Sequence, residues 1–127
     1  MAESTKTIVK RIADWALRPG PRFREQGPKS GEEFYCTRLK EWYEEAVNKG
    51  LTLTIDLDGT DGYLTSFIDE SFGRLVYDFG RDNVEKTVIV KSDMEPEWLS
   101  RLMDKTYPAW EKRRIEGAAP RSTVSTD

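Results

Sequence analysis

The sequence contains no histidine and a single cysteine. Without histidine, the Ser-His-Asp and Cys-His nucleophile pairs cannot be assembled in their usual form. With Cys36 alone, neither an intramolecular disulfide nor a zinc cluster can form. Flanked by Tyr35 and Thr37 in a helical stretch, Cys36 reads as a packing residue. No apolar run approaches the ~18–20 residues that span a bilayer. The opening MAESTKTIVK lacks the apolar stretch and small-residue cleavage site of a secretory signal, so a cytoplasmic address is expected. Any catalysis would have to rest on carboxylates, lysines or hydroxyls.

What is present suits one small domain. The 127 residues are 37% hydrophobic, low but enough for a core because 11% are aromatic. Charged residues make up 34%, with 20 basic against 23 acidic, and the net charge of -3 argues against generic nucleic-acid binding. Residues 7–116 are expected to form the domain, with disordered ends at 1–6 and 117–127.

Thr7 to Trp15 reads as a first strand. Arg18 to Lys29, dense in Pro, Gly and arginine, is a loop. Its basic character fits an anion-contacting or partner-contacting role as well as a plain connector, and Arg22 and Arg24 are placed to meet acids near Asp58 and Asp61. Ser30 and Glu33 have capping-box spacing. Tyr35, Leu39, Trp42, Tyr43 and Ala46 follow at helical spacing, and Gly50 supplies the stop. Leu51, Leu53, Ile55 and Leu57 alternate with Thr52, Thr54 and Asp56, the clearest strand in the chain. After the turn at Asp58–Gly62 comes a second helix carrying Ile68, Phe72, Leu75, Val76 and Phe79, with Thr65 or Ser66 at its entrance and Gly80 at its exit. Gly73 on this helix suits close helix–sheet approach, and Tyr63 either presents an interface aromatic or plugs the sheet end. Thr87–Val90 is a third, β-branched strand. Ser92 and Glu95 again have capping-box spacing, Met94, Trp98, Leu99, Leu102 and Met103 form a buried stripe, and Pro108 ends or kinks that helix, with another turn over 110–115.

This order is an α/β pattern, in which a short sheet packs against helices on one face and leaves the other for a partner. Functional groups in such sheets gather at the carboxyl ends of the strands, here Asp56 to Ser66.

Two motifs compete there. Ile55-Asp56-Leu57-Asp58-Gly59-Thr60 resembles the first motif of haloacid-dehalogenase-like phosphatases. That resemblance implies Asp56 as nucleophile and Asp58 as general acid beside a bound magnesium. Only 67 residues follow Thr60, however, and no later pair of acids after an apolar strand completes a magnesium site. The longer stretch Leu53–Leu75 fits better. An apolar strand ends in Asp56, a turn carries Gly62-Tyr63, and Ser66-Phe67, Glu70 and Phe72-Gly73 open a helix. Gly20-Pro-Arg22, Gly27-Pro and Ser30-Gly31-Glu32-Glu33-Phe34 precede it. Over roughly residues 7–105 the chain resembles the small bacterial STAS-like domains, relatives of the anti-sigma-factor antagonists.

The resemblance implies an α/β STAS-like fold of three to five strands and a non-enzymatic, regulatory protein-interaction role without cofactor or metal. It implies a partner resembling a GHKL-type ATPase, a kinase or an anti-sigma factor, switched by phosphorylation at the start of the second helix. The Asp-Ser-Ser-Gly signature of the antagonists is not present; Thr65-Ser66 occupies the comparable place. Asp56, Asp58, Tyr63, Ser66, Glu70 and Arg22 are the expected partner-binding residues, and Ser66 and Thr65 the candidate phosphorylation sites. Ser66 with Asp69 also has the spacing of an N-cap, which alone would account for it. With Asp56, Asp58, Asp61, Asp69 and Glu70 all near in sequence, added phosphate would repel, so modification is expected to release a partner.

Overall fold

Strand β2 (Thr52–Asp56) sets the architecture. Its alternation buries Leu53 and Ile55 completely on one side and turns Thr52, Thr54 and Asp56 to the other. The computed structural model describes residues 6–119. In it, β1 (Thr7–Arg11) and β3 (Val88–Lys91) flank β2 in parallel, in the order β1-β2-β3. The register aligns Ile8, Leu53 and Val88 in a row on the covered face, and Val9, Thr54 and Ile89 on the opposite one. That second face is open, with Val9 60% and Ile89 51% exposed. A parallel sheet is ordinarily covered on both faces, so the one-sided arrangement is unusual.

The first strand is shorter than its apolar pattern predicts. It stops at Arg11, and Ile12–Trp15 (α1) forms a helical turn closed by the Ala16 N–H donating to the Ile12 carbonyl at 2.9 Å. The turn swings Ile12 into the core, where it is fully buried.

The first long helix runs over 31–49 as α2 (Gly31–Phe34), a π turn (Tyr35–Leu39) and α3 (Lys40–Lys49). Ser30 Oγ accepts from the Glu33 N–H at 3.0 Å, as the capping spacing predicts, but the Glu33 carboxylate accepts from the Lys29 N–H rather than from Ser30. Gly50, at φ 68°, ends the helix in the left-handed conformation. The π turn inserts an extra residue, and inward-facing Phe34, Tyr35 and Leu39 are followed by Tyr43 and Ala46. Cys36 is turned outward and exposed, correcting its expected packing role.

Helix α4 (Thr65–Phe79) buries Ile68, Phe72, Leu75 and Val76 as its spacing predicts. Gly73 faces another helix rather than the sheet: a Cβ there would lie 2.1–2.4 Å from the Trp110 indole. Helix α5 (Arg81–Thr87), absent from the sequence reading, then takes up Thr87, so β3 begins one residue later than expected.

The last helix comprises α6 (Glu97–Arg101), a π turn (Leu102–Thr106) and α7 (Tyr107–Glu116). It neither ends nor breaks at Pro108. The Tyr107 N–H reaches back five residues to the Leu102 carbonyl, and Pro108, which has no N–H to donate, follows this π turn directly. Leu102 is buried, but Met94, Leu99 and Met103 are 74%, 36% and 44% exposed, so the expected stripe reduces to Leu102 and half-buried Trp98. Ser92 does not cap this helix either. Its hydroxyl donates to the Glu95 carbonyl at 2.7 Å, and Pro96 is the capping residue. Of the two ends expected to be disordered, Ala118 is bound by Tyr77, whose hydroxyl donates to its carbonyl at 2.7 Å; residues 1–5 and 120–127 lie outside the described residues.

Candidate functional site

All three strands end in a charged residue on the open face: Arg11, Asp56 and Lys91 in register. Arg11 Nε and Lys91 Nζ each lie 3.9 Å from Asp56 Oδ2. Asp56 Oδ1 accepts from the Asp58 N–H at 2.9 Å and so fixes the turn that follows β2.

Asp58 is also committed to local structure. Its two oxygens accept from the Asp93 and Met94 N–H groups at 3.0 Å each, stitching the β2 turn to the segment after β3. The Met94 N–H first of all, with Asp93, Lys91 and Arg11, holds the carboxyl below the usual range, so it stays ionised and is a poor proton donor. Among the described residues, no group of three His, Cys, Asp or Glu is placed to hold a metal ion. Both oxygens of Asp58 are thus occupied by main-chain N–H groups that hold the turn.

Tyr63 points inward as a plug. Its ring packs on Phe67 and edge-on to Trp98, and its hydroxyl donates to the Leu57 carbonyl at 2.6 Å. Burial raises its phenol from the usual 10.0 to about 12.

Within the arginine loop, Arg22 meets α4, not the β2 turn. Arg22 Nη1 donates to Asp69 Oδ2 at 2.8 Å and to Glu70 Oε1 at 3.2 Å. It is Arg18 that reaches Asp61, at 2.7 Å. Glu70 is 1% exposed and lies between Arg22 and Arg74, the latter 3.5 Å from Oε2. Burial raises its carboxyl despite these two cations. Glu70 is thus an anchor for the loop and has no surface to offer a partner. Tyr35 hydrogen-bonds to Asp78 and packs under Arg74, extending this network. Ion pairs across a separation of 48 residues have no local signature, which is why sequence reasoning missed them.

Leu64, not Ser66, caps α4, and it has no capping side-chain bond. Ser66 lies within the first turn and is half-buried, whereas Thr65 is exposed. Thr65 lines a groove with Arg22, Asp69, Arg101, Asp104, Lys105 and Lys112, in which four cations face two carboxylates. The setting is therefore less acidic than sequence proximity implies.

Around the turn stand exposed apolar side chains: Leu64 at 55%, Met94 at 74% and Leu17 at 61%. The turn binds the segments carrying two of them, because the Asp61 N–H donates to the Leu17 carbonyl at 2.7 Å and Met94 is held by Asp58.

The mixed α/β fold with its three-stranded parallel sheet agrees with a STAS-like domain. Residues 30–98 match the family described as STAS-like domain of unknown function (DUF4325), and the chain belongs to that family. No curated protein and no solved structure matches the chain. No helix among the described residues is long and apolar enough to cross a membrane.

Proposed function

We propose that the chain is a non-enzymatic regulatory module that binds another protein at the carboxyl end of its sheet. The observation that carries this is the division of labour at the β2 turn. Asp56 and Asp58 are spent on holding the turn, while Leu17, Leu64 and Met94 stand exposed on the segments it joins. Exposed apolar side chains on a hydrogen-bonded scaffold suit a contact surface rather than a reaction centre.

The family resemblance supports a GHKL-type ATPase, kinase or anti-sigma-like protein as the partner, and phosphorylation at the start of α4 as the switch. Of the two candidates, exposed Thr65 is the more accessible hydroxyl. A phosphoryl group there would stand beside Asp69 but also beside the cations of the groove, and would alter the surface next to Leu64.

The test is affinity capture with the tagged chain from its native extract, with and without ATP, followed by intact-mass analysis. Capture of an ATPase that is lost in a Leu64→Glu, Met94→Glu variant is expected, with ATP-dependent phosphate on Thr65. Magnesium-dependent phosphatase turnover that disappears in Asp56→Asn would overturn the proposal.

A further inference from the structure

The outer edge of β1 carries a second, chemically different surface. β1 is the terminal strand of the sheet, so every second main-chain N–H and C=O is directed away from β2, and among the described residues no strand lies beyond it. Beside this edge runs a groove lined by Lys10, Arg11, Lys29 and Arg38, with Trp15 and Trp42, and one carboxylate, Asp14. Four cations against one acid is a marked local excess in a chain of net charge -3.

Arg11 already serves Asp14 and Asp56, whereas Lys10, Lys29 and Arg38 form no salt bridge with a described carboxylate. Lys29 Nζ donates to the Trp15 carbonyl at 3.4 Å and Arg38 Nη1 to the Thr37 carbonyl at 2.9 Å, and Glu45 lies within electrostatic reach of Lys10. Lys29 Nζ sits 4.7 Å over the Trp15 ring and Lys10 Nζ 5.8 Å over the Trp42 ring, so the indoles hold the ammonium groups in place without neutralising them. Each indole also packs against Phe34, at 5.2 and 5.5 Å between centroids. With Phe34 on one side and a lysine over the ring, the indoles make poor platforms for stacking nucleic-acid bases.

We infer that the β1 edge accepts an extended acidic peptide of a partner protein as a fourth strand. Pairing to β1 supplies main-chain hydrogen bonds, and the two-residue period sorts the peptide's side chains. On the covered side of the sheet they meet Lys10, Lys29 and Arg38, which calls for Asp or Glu. On the open side they extend the row of Val9, Thr54 and Ile89, which calls for Val, Ile or Thr. The recognised sequence therefore alternates acid with β-branched residue. This rests on the chain being an interaction module, but uses a surface separate from Leu64 and Met94.

The probe is a fluorescent peptide of alternating Glu and Val, acetylated and amidated, titrated into the full chain and read by anisotropy. Binding at a Kd of about 100 μM or tighter is expected, weakened at least tenfold by Arg38→Glu and abolished by Lys10→Glu with Arg38→Glu. Circular dichroism of each variant confirms folding. Methylating alternate backbone nitrogens of the peptide leaves the protein untouched and should also weaken binding at least tenfold. No binding, or equal binding of the methylated peptide, would overturn strand addition. Indifference to Arg38→Glu would overturn the groove. Tighter, Arg38-dependent binding of oligo-dT would overturn the peptide assignment in favour of single-stranded nucleic acid. Leu64→Glu with Met94→Glu should leave peptide binding unchanged, so the two surfaces fail separately.

Discussion

At the scale of single residues, Tyr63 shows how a side chain read as a contact turns out to be a brace. Its hydroxyl closes the end of the sheet on the Leu57 carbonyl, and its ring supports Phe67. Tyr63→Phe is expected to cost about 0.5–1.5 kcal/mol at neutral pH, measured by urea unfolding. The phenol is raised from 10.0 to about 12 in the folded chain, so between these pH values the folded state holds a proton that the unfolded state has released. Stability conferred by Tyr63 is thus complete below pH 10 and falls as pH rises towards 12. The gap between wild type and Tyr63→Phe should narrow over that interval; a constant gap would contradict the assignment. Glu70 carries the opposite lesson, because a carboxylate expected on the surface is buried under two arginines.

At the scale of elements, α4 is the hub, and small residues set how closely its neighbours approach. Gly31 of α2 sits on it so tightly that a Cβ would lie 2.6 Å from the Phe67 carbonyl oxygen, and Gly73 receives the Trp110 indole. Gly73→Ala should therefore destabilise the fold by about 1–3 kcal/mol through overpacking, seen as a lower urea midpoint at unchanged slope. An alanine gaining stability there, as alanine ordinarily does within a helix, would show that α7 can move away at little cost. Where burial follows one period, the sequence was readable: β2 by its alternation, and α4 by the spacing of Ile68, Phe72, Leu75 and Val76. It was unreadable where the period changes. Two π turns, Tyr35–Leu39 and Leu102–Thr106, interrupt the helical period, and Cys36, Leu99 and Met103 stand exposed in or beside them. Helix α5 was hidden because its buried side chains are Val84 and Thr87 alone. The candidate site was legible as a segment, Asp56 to Ser66, but the roles within it were not. Whether an aspartate caps a turn or faces a partner depends on amides such as those of Asp93 and Met94, which come from 35 and 36 residues away.

At the scale of the whole molecule, the sheet has a core side and an open side, and the two should respond differently to substitution. Leu53→Ala on the covered face should cost about 2–5 kcal/mol. Val9→Lys with Ile89→Lys on the open face should change the stability of the isolated chain by no more than about 0.5 kcal/mol. Thermal or urea unfolding of both variants checks this, and a large loss from the double lysine variant would mean that the open face is covered in the isolated chain.

The pairing of β1 with β2 also governs how the chain comes off the ribosome. Thr7 meets Thr52, so the first strand is made 45 residues before the strand it needs. At about 5–20 residues per second, β1 waits roughly 2–9 s for its partner while the first long helix is being made. Lys10 and Arg11 place two like charges within that strand, and such charges disfavour pairing between identical neighbouring nascent chains. The same two cations that line an edge in the finished protein would then guard it during synthesis.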